Sequence, residues 1–206
     1  MSGDSKPPIA ADRAVEAEVS TPQLLVHGYR DYERFTVKVA GASHAQQRDV
    51  LRGAGVVAIL PVDLARNEVV LIRQFRLAAH LGNGLGEMIE IPAGRLGPAE
   101  SYAAAAAREC EEEIGVKPGR LIEVLDYFPT PGLTDERIVV YLAAVDAARV
   151  PERGGLVSEG EEIHPFTLPL DAVAAAVTAG HIHNGATLIA LQWLLLNRAR
   201  LAELLR

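Results

Sequence analysis

The stretch that decides the fold is residues 90–116, which read EIPAGRLGPAESYAAAAARECEEEIGV. A strand is predicted to end in its Pro/Gly break, and an Ala-rich helix is predicted from Pro98 to Gly115. Proline suits the first turn of a helix, Gly115 stands where a left-handed residue ends one, and Pro118 blocks its continuation. The stretch therefore predicts a strand, a loop and a helix in succession.

Three glutamates share one face of this predicted helix. Glu109, Glu112 and Glu113 are spaced i, i+3 and i+4, whereas Glu111 points elsewhere. Like charges at this spacing destabilise a helix, and few cationic residues are interleaved to offset them. The three carboxylates would suit a hard divalent cation, which prefers oxygen ligands. A solvated acidic face is the alternative.

The spacing around these glutamates resembles the Nudix box of the Nudix hydrolases. Gly94 is followed by five residues, Glu100, seven residues and then Arg108 to Val116, which fill every position of the box, with Cys110 in an aliphatic place. The resemblance extends over most of residues 50–200. It implies an α+β fold, a Nudix α/β/α sandwich with a mixed sheet, preceded by a small N-terminal β-sheet domain.

Features outside the box are similar to the branch that cleaves ADP-ribose and related nucleoside diphosphate sugars. The Ile91–Gly94 stretch resembles the branch's approach to the box, and Pro131 lies sixteen residues beyond Gly115, where members of the branch carry a proline. The acidic loop over residues 158–163 resembles the loop that supplies the family's general base. The motifs of the NADH-cleaving branch and of the coenzyme A pyrophosphatases are not apparent.

The resemblance implies a role for each candidate residue of the box. The implied metal ligands are the Ala93 carbonyl and the carboxylates of Glu109, Glu113 and, additionally, Glu112. The cofactor is expected to be Mg²⁺, with Mn²⁺ as the alternative. The implied structural positions are Gly94, Glu100, Arg108 and Gly115. Glu100 and Arg108 are expected to pair and brace the loop against the helix.

Catalytic and substrate-binding residues are implied outside the box. Glu159 matches the position of the base, with Glu161 as the alternative, and a solvated acidic turn is the non-catalytic interpretation of this loop. The residues expected to contact substrate are Arg76, Glu136, Arg48 and Tyr29. Arg76 ends an apolar strand and is either a phosphate contact or a surface arginine, and Tyr32 competes with Tyr29 as the aromatic residue that stacks on the base.

Three segments are predicted along the chain: a flexible N-terminal arm over residues 1–22, a β segment over 23–50 and a Nudix hydrolase domain over 51–206. Strands at Leu24–Val26 and Arg34–Val39 are too few to hold a core alone, so we expect pairing with a second chain in a homodimer. The family resemblance points the same way and implies that Arg48 serves the partner's site.

The rest of the Nudix segment is predicted to alternate between strands and helices. Continuous apolar runs predict buried strands at Gly55–Leu60 and Asn67–Ile72. Further strands are predicted at Leu121–Tyr127, Arg137–Val145 and His164–Leu168, and helices at Leu170–Ala179 and Thr187–Leu205.

Composition limits the classes of function. The 206 residues carry 27 acidic and 20 basic side chains, a net charge of −7, which argues against a general nucleic-acid binder. The chain has one cysteine, its apolar runs are shorter than a membrane span, and Met1–Pro8 does not resemble a secretory signal. We therefore expect a cytoplasmic protein with a small-molecule substrate and no membrane or nucleic-acid partner.

The expected reaction follows from the resemblance. It is the Mg²⁺-dependent hydrolysis of ADP-ribose, or a related nucleoside diphosphate sugar, to AMP and ribose 5-phosphate. A pyrophosphatase acting on GDP-mannose or another sugar nucleotide is one alternative. A Nudix-fold binding module without catalysis is the other.

Overall fold

The computed structural model describes residues 10–156, 158 and 160–206. The chain divides into two units, the first ending at Arg52 and the second beginning at Gly53. The division lies two residues beyond the boundary predicted between the β segment and the Nudix domain.

The first unit is a four-stranded antiparallel sheet. Its strands are β1 (Ala17–Val19), β2 (Gln23–Val26), β3 (Tyr32–Val39) and β4 (Gln46–Leu51), and β3 pairs with each of the other three. Strand β1 lies within the flexible arm predicted over residues 1–22, and it pairs with residues 37–39. A three-residue strand is too short to show an alternating pattern. Residues 1–9 of that arm lie outside the described residues.

The second unit is built on a mixed sheet. Its strands are β5 (Gly55–Asp63), β6 (Glu68–Phe75), β7 (Glu87–Glu90), β8 (Ala93–Arg95), β9 (Leu121–Tyr127), β10 (Arg137–Ala144) and β11 (Ile163–Pro169). The strand order is β11-β6-β5-β10-β9, with β7 pairing β6 and β8 pairing β5. Only β5 and β10 run parallel among these pairs of the described chain.

Helices cover both faces of this sheet. They are α1 (Leu77–Asn83), α2 (Tyr102–Ile114), α3 (Val173–Thr178), α4 (Gly185–Asn197) and α5 (Leu201–Leu204). One apolar cluster joins the sheet to α2, and the other joins it to α3, α4 and α5. This arrangement confirms the predicted α/β/α sandwich and mixed sheet. No helix in the described part of the chain is long and apolar enough to cross a membrane.

Strand β5 shows why its sequence is apolar throughout. Val57 and Ile59 pack in the α2 cluster, whereas Ala58 and Leu60 pack in the cluster of the opposite face. All four side chains are completely buried. A strand covered on both faces has no position for a polar residue, as the continuous apolar run predicts.

An opening between β5 and β6 positions the candidate site. The two strands pair only at Val62–Val69 and Asp63–Glu68. Beyond that point β7 pairs with residues 72–75 of β6, and β8 pairs with residues 56–58 of β5. The segment that joins β7 to β8 therefore crosses the sheet between two strands that have separated.

Helix α2 begins four residues later than the Pro98 start that the sequence predicts. Ala99 has a left-handed φ of 58°, and the preceding turn is closed by a hydrogen bond from Gly97 N–H to Glu100 Oε2. Ser101 is the N-cap, since its side chain accepts from Ala104 N–H at 3.2 Å. The predicted end is confirmed, because Gly115 adopts a left-handed φ of 67°.

Two other helical regions differ from expectation. Helix α1 was not predicted, because its residues bury no side chain and so show no apolar face. The long C-terminal helix is interrupted, since a 3₁₀ turn at Arg198–Arg200 separates α4 from α5. Residues 170–179 likewise begin with a 3₁₀ turn at Leu170–Ala172 before α3.

The start of α4 is tied to the segment after β7. The Thr187 side chain is completely buried, and its hydroxyl accepts from Ile91 N–H at 3.0 Å. The same hydroxyl donates to Asn184 Oδ1 at 3.0 Å, and Asn184 is the N-cap of α4. Helix α4 thereby holds the backbone that leads into the loop before α2.

Candidate active site

The Glu113 carboxylate is buried against the loop that leads into α2. Its Oε2 accepts from Ala93 N–H at 2.9 Å, and the side chain is 2% exposed. Burial raises the pKa of Glu113 to about 9, although the Ala93 hydrogen bond acts in the opposite direction. Such a group is costly to ionise unless a cation lies beside it.

Glu109 lies one turn earlier and packs against the backbone of β8. A Cβ atom added at Gly94 would stand 1.9 Å from Glu109 Oε1, so only glycine leaves room for this carboxylate. Burial raises the pKa of Glu109, and the neighbouring Arg108 opposes that effect. Glu109 and Glu113 thus meet the β8 strand at adjacent residues, 93 and 94.

Arg108 is the centre of an ion-pair network on the exposed side of this loop. It donates to both oxygens of Glu100 at 3.0 Å, to Glu109 at 2.7 Å and to Glu112 at 2.9 Å. Its Nη2 also donates to the Arg95 carbonyl at 3.0 Å. The helical spacing predicts that Glu109, Glu112 and Glu113 have few cationic partners. In the structure, the Arg108 guanidinium donates to two of the three, Glu109 and Glu112.

The described residues do not form a ready-made metal site. Among residues 10–156, 158 and 160–206, no group of three or more His, Cys, Asp or Glu side chains is placed to hold an ion. The Glu112 carboxylate accepts from Arg108, and the Glu113 carboxylate accepts from Ala93 N–H. The donor set still fits a divalent cation, because the buried carboxylates of Glu109 and Glu113 meet β8 at the adjacent residues Gly94 and Ala93.

The acidic loop is attached directly to the last turn of α2. Gly155 N–H donates to the Glu112 carbonyl at 2.9 Å, and a Cβ at Gly154 would stand 1.8 Å from the Glu113 carbonyl oxygen. Glu161 interacts electrostatically with both Glu109 and Glu113, so this loop carboxylate lies near the buried pair. The sequence-based candidate Glu159 lies outside the described residues.

Arg76 follows the end of β6 and pairs with Glu90 at the end of β7. The guanidinium donates through Nε at 3.0 Å and through Nη2 at 2.7 Å, one bond to each carboxylate oxygen. Arg76 also interacts electrostatically with Glu113 and Glu161. The structure therefore brings Arg76 near the carboxylates of the box. The anion that holds it is Glu90, which is not among the candidate residues predicted from the sequence.

Glu136 lies in the loop before β10. Its backbone N–H donates to Thr134 Oγ1 at 3.1 Å. Its charge acts on Tyr127, whose pKa is raised to about 12, first by burial and then by Glu136. The substrate role of Glu136 stays a prediction.

Arg48 and Tyr29 belong to the first unit. Arg48 is an exposed residue of β4 whose guanidinium donates to the Gln46 side chain and to the Gln47 carbonyl. Tyr29 lies between β2 and β3 and is 84% exposed. The substrate role of Arg48 and Tyr29 stays a prediction.

The register between β6 and β7 explains why Glu90 meets Arg76. Glu90 is an acidic residue next to the apolar Ile91, and it pairs with Ile72 on β6. Opposed residues of paired strands share a face, so Glu90 faces the same side as position 74 and the following Arg76. The sequence shows an acid and an arginine at these positions, but the pairing of β6 with β7 is what brings them together.

Comparison with known proteins identifies the family. The NUDIX domain model matches residues 51–188. The ADP-ribose pyrophosphatase of Escherichia coli strain K12 is 33% identical over 190 residues, covering 90% of this chain and 91% of that protein. The chain therefore belongs to the Nudix hydrolase family.

Two further comparisons concern substrate range and fold. The GDP-mannose pyrophosphatase of Citrobacter koseri is 33% identical over 149 residues, covering 72% of this chain and 77% of that protein. A crystal structure described as an ADP compounds hydrolase superposes with a TM-score of 0.72 at 15% identity, covering 92% of this chain and 98% of the other. The second likeness supports the fold.

Proposed function

We propose that this Nudix hydrolase cleaves the diphosphate of ADP-ribose to give AMP and ribose 5-phosphate with Mg²⁺ as cofactor. The observation that carries the proposal is the pair of buried carboxylates, Glu109 and Glu113, that meet β8 at Ala93 and Gly94. Similarity to the Escherichia coli ADP-ribose pyrophosphatase over most of both chains supports the choice of substrate.

The proposed reaction adds one water across the diphosphate. The water oxygen forms a bond to one phosphorus, the bond from that phosphorus to the bridging oxygen breaks, and the bridging oxygen leaves on the other phosphate. Attack at either phosphorus gives the same two products. A carboxylate that accepts the proton of the attacking water accelerates this step.

The residues of the box would hold the cofactor. Glu109, Glu113 and the Ala93 carbonyl are the proposed ligands, with Glu112 available if it leaves Arg108. When bound, Mg²⁺ supplies positive charge to the diphosphate oxygens. The buried carboxylates are then compensated, which relieves the cost of ionising them.

A glutamate of the acidic loop would act as the base. Glu161 is supported by its electrostatic interaction with Glu109 and Glu113. Its position is defined by Leu156, whose carbonyl accepts from Glu161 N–H at 3.2 Å. Glu159, two residues earlier, is the other candidate, and glutamine substitutions at the two positions distinguish them.

Contacts to substrate are proposed on two sides. Arg76 would bind a phosphate of the diphosphate, since a guanidinium presents several donors to phosphate oxygens. Glu136 would bind the ribose or phosphate side. Arg48 and Tyr29 of the first unit would hold the adenine of the partner's substrate between a guanidinium plane and an aromatic ring.

The homodimer is part of this proposal. In residues 10–52 no side chain is buried, and the sheet exposes apolar residues that include Val19, Leu24, Val26 and Val39. A small sheet without a buried face gains stability when a second chain covers it, and two-fold pairing is the commonest arrangement. We place this dimer in the cytoplasm.

A pyrophosphatase acting on GDP-mannose is the second candidate. The similarity to the Citrobacter koseri enzyme favours it, although that match covers less of the chain. The deciding experiment measures released mononucleotide from ADP-ribose, GDP-mannose, ADP-glucose, NADH and diadenosine polyphosphates, with and without Mg²⁺. The highest kcat/KM for ADP-ribose supports the proposal, and the absence of turnover on every substrate would leave a binding module.

A further inference from the structure

Arg76 and Glu90 differ sharply in exposure. The Arg76 side chain is 44% exposed, whereas that of Glu90 is only 5% exposed. Both carboxylate oxygens of Glu90 accept from the guanidinium, at 2.7 and 3.0 Å. A bidentate pair of this kind fixes the plane of the guanidinium as well as its position.

The two ends of the pair are anchored separately in the backbone. Arg76 N–H donates to the Gly86 carbonyl at 2.8 Å, and its own carbonyl accepts from His80 N–H at 3.0 Å. Glu90 ends β7 opposite Ile72, and the next amide, Ile91 N–H, is held by Thr187. Neither residue can shift without breaking ordered backbone contacts.

The pairing leaves the guanidinium with donors to spare. A guanidinium has five N–H groups, and the two bonds to Glu90 use one on Nε and one on Nη2. Within the described part of the chain, no hydrogen bond uses Nη1 of Arg76. The electrostatic interactions with Glu113 and Glu161 place Arg76 beside the carboxylates of the candidate site.

We infer that Glu90 is a positioning residue, which fixes the guanidinium of Arg76 so that its remaining donors meet a phosphate of the substrate. This inference rests on the proposed function, in which Arg76 binds the diphosphate. Glu90 also balances the charge of Arg76. Glu90 itself touches no substrate.

The test is a double-mutant cycle in the full-length protein with Glu90→Gln, Arg76→Ala and both together. The substrate is the best one of the panel above. Glu90→Gln keeps the size of the side chain but removes the charge and one acceptor. We expect it to raise KM about tenfold while kcat changes by less than about threefold. In the Arg76→Ala background, Glu90→Gln should raise KM by less than about a further twofold. The reason is that Glu90 acts on the substrate only through the Arg76 guanidinium.

A matched control lies on the same strand. Glu87 pairs with Arg73 across 3.9 Å, and its side chain is 68% exposed. Exposed pairs of this kind contribute little. Glu87→Gln is therefore expected to leave KM and kcat at the wild-type values.

A second readout does not depend on turnover. The affinity of each variant for the same substrate is measured by calorimetry with EDTA present, so that no divalent ion supports hydrolysis. Equal losses of affinity in Glu90→Gln and Arg76→Ala support the inference, even if the preferred substrate is not ADP-ribose. Additive effects, or an unchanged affinity in Glu90→Gln beside a weakened Arg76→Ala, overturn it. A wild-type protein that neither binds nor hydrolyses a nucleoside diphosphate sugar, with EDTA or with Mg²⁺, overturns both this inference and the proposed function.

Discussion

Glu113 and Ala93 are twenty residues apart in sequence, yet the carboxylate of one accepts a hydrogen bond from the backbone N–H of the other at 2.9 Å. This bond closes the loop before α2 onto the last turn of the helix. It also turns a buried carboxyl group toward the backbone segment that carries the proposed carbonyl ligand.

Replacing Glu113 with glutamine should remove most activity and leave the fold intact. Glutamine keeps the size of the side chain and its acceptor for Ala93 N–H, but it removes one anionic ligand. We expect kcat to fall about 100-fold or more, with no loss of thermal stability in EDTA. Glu111→Gln, an exposed change on the same helix, is the control. Near-wild-type turnover of Glu113→Gln at limiting Mg²⁺ would remove α2 from the mechanism.

Without divalent cations, the stability of the protein should fall as the pH rises. The pKa of Glu113 is about 9 in the folded state and near its ordinary 4.5 in the unfolded chain. The folded state therefore binds more protons between these values, and the contribution present below 4.5 is lost as the pH rises through 9. Melting temperatures in EDTA at about pH 6 and about pH 9 test this. The drop should shrink in Glu113→Gln, and an equal drop in both proteins would contradict the assignment.

The base of the acidic loop can be identified by two parallel substitutions. Glu161 interacts electrostatically with Glu109 and Glu113, and the sequence resemblance favours Glu159. Substituting the base with glutamine should depress kcat by about 100-fold or more while substrate still binds. Steady-state kinetics of Glu161→Gln and Glu159→Gln distinguish them. If both variants keep wild-type kcat, the proton is accepted elsewhere.

Gly94→Ala should disable the enzyme through a single methyl group. The added Cβ would stand 1.9 Å from Glu109 Oε1, so the carboxylate or the strand β8 must move. We expect a loss of activity with a higher Mg²⁺ requirement. Gly82→Ala is the control, because a Cβ at that position meets nothing within 4 Å. Equal activities of the two variants would show that Glu109 does not need its present position.

Sharing of the site between subunits can be tested by complementation. If Arg48 serves the partner's site, Arg48→Ala and Glu113→Gln chains are each impaired, but a hybrid dimer contains one complete site. Refolding an equal mixture should restore about a quarter of wild-type activity. Light scattering on the wild type measures the oligomeric state. A monomer, or a mixture no more active than its components, would refute the shared site.

Much of the second unit could be predicted because its signals are local. The box spacing identifies α2 and its C-terminal glycine, and continuous apolar runs identify strands that are buried on both faces. Proline is common in first turns and therefore predicts a start at Pro98, whereas the left-handed Ala99 and the Ser101 cap determine the observed start of α2. The sequence does not predict helix α1, because the helix buries no side chain and so shows no apolar face.

The network around Arg108 and the Arg76–Glu90 pair were harder to foresee. Which carboxylates one guanidinium reaches depends on side-chain packing, and spacing along a helix gives only the candidates. The Arg76–Glu90 pair depends on the register between β6 and β7, which only the assembled sheet defines. Local sequence thus predicts which residues are available, and tertiary structure decides how they pair.

The hydrogen bonds of Thr187 have a consequence for engineering. Helix α4 supplies no proposed ligand, base or substrate contact, yet its first turn holds Ile91 N–H from the face of the sheet opposite α2. A graft that replaces the C-terminal helices with those of another protein would have to carry Asn184 and Thr187 along. Without these two residues, the new helices would leave Ile91 N–H without its hydrogen bond. The loop before α2 would then be less firmly held.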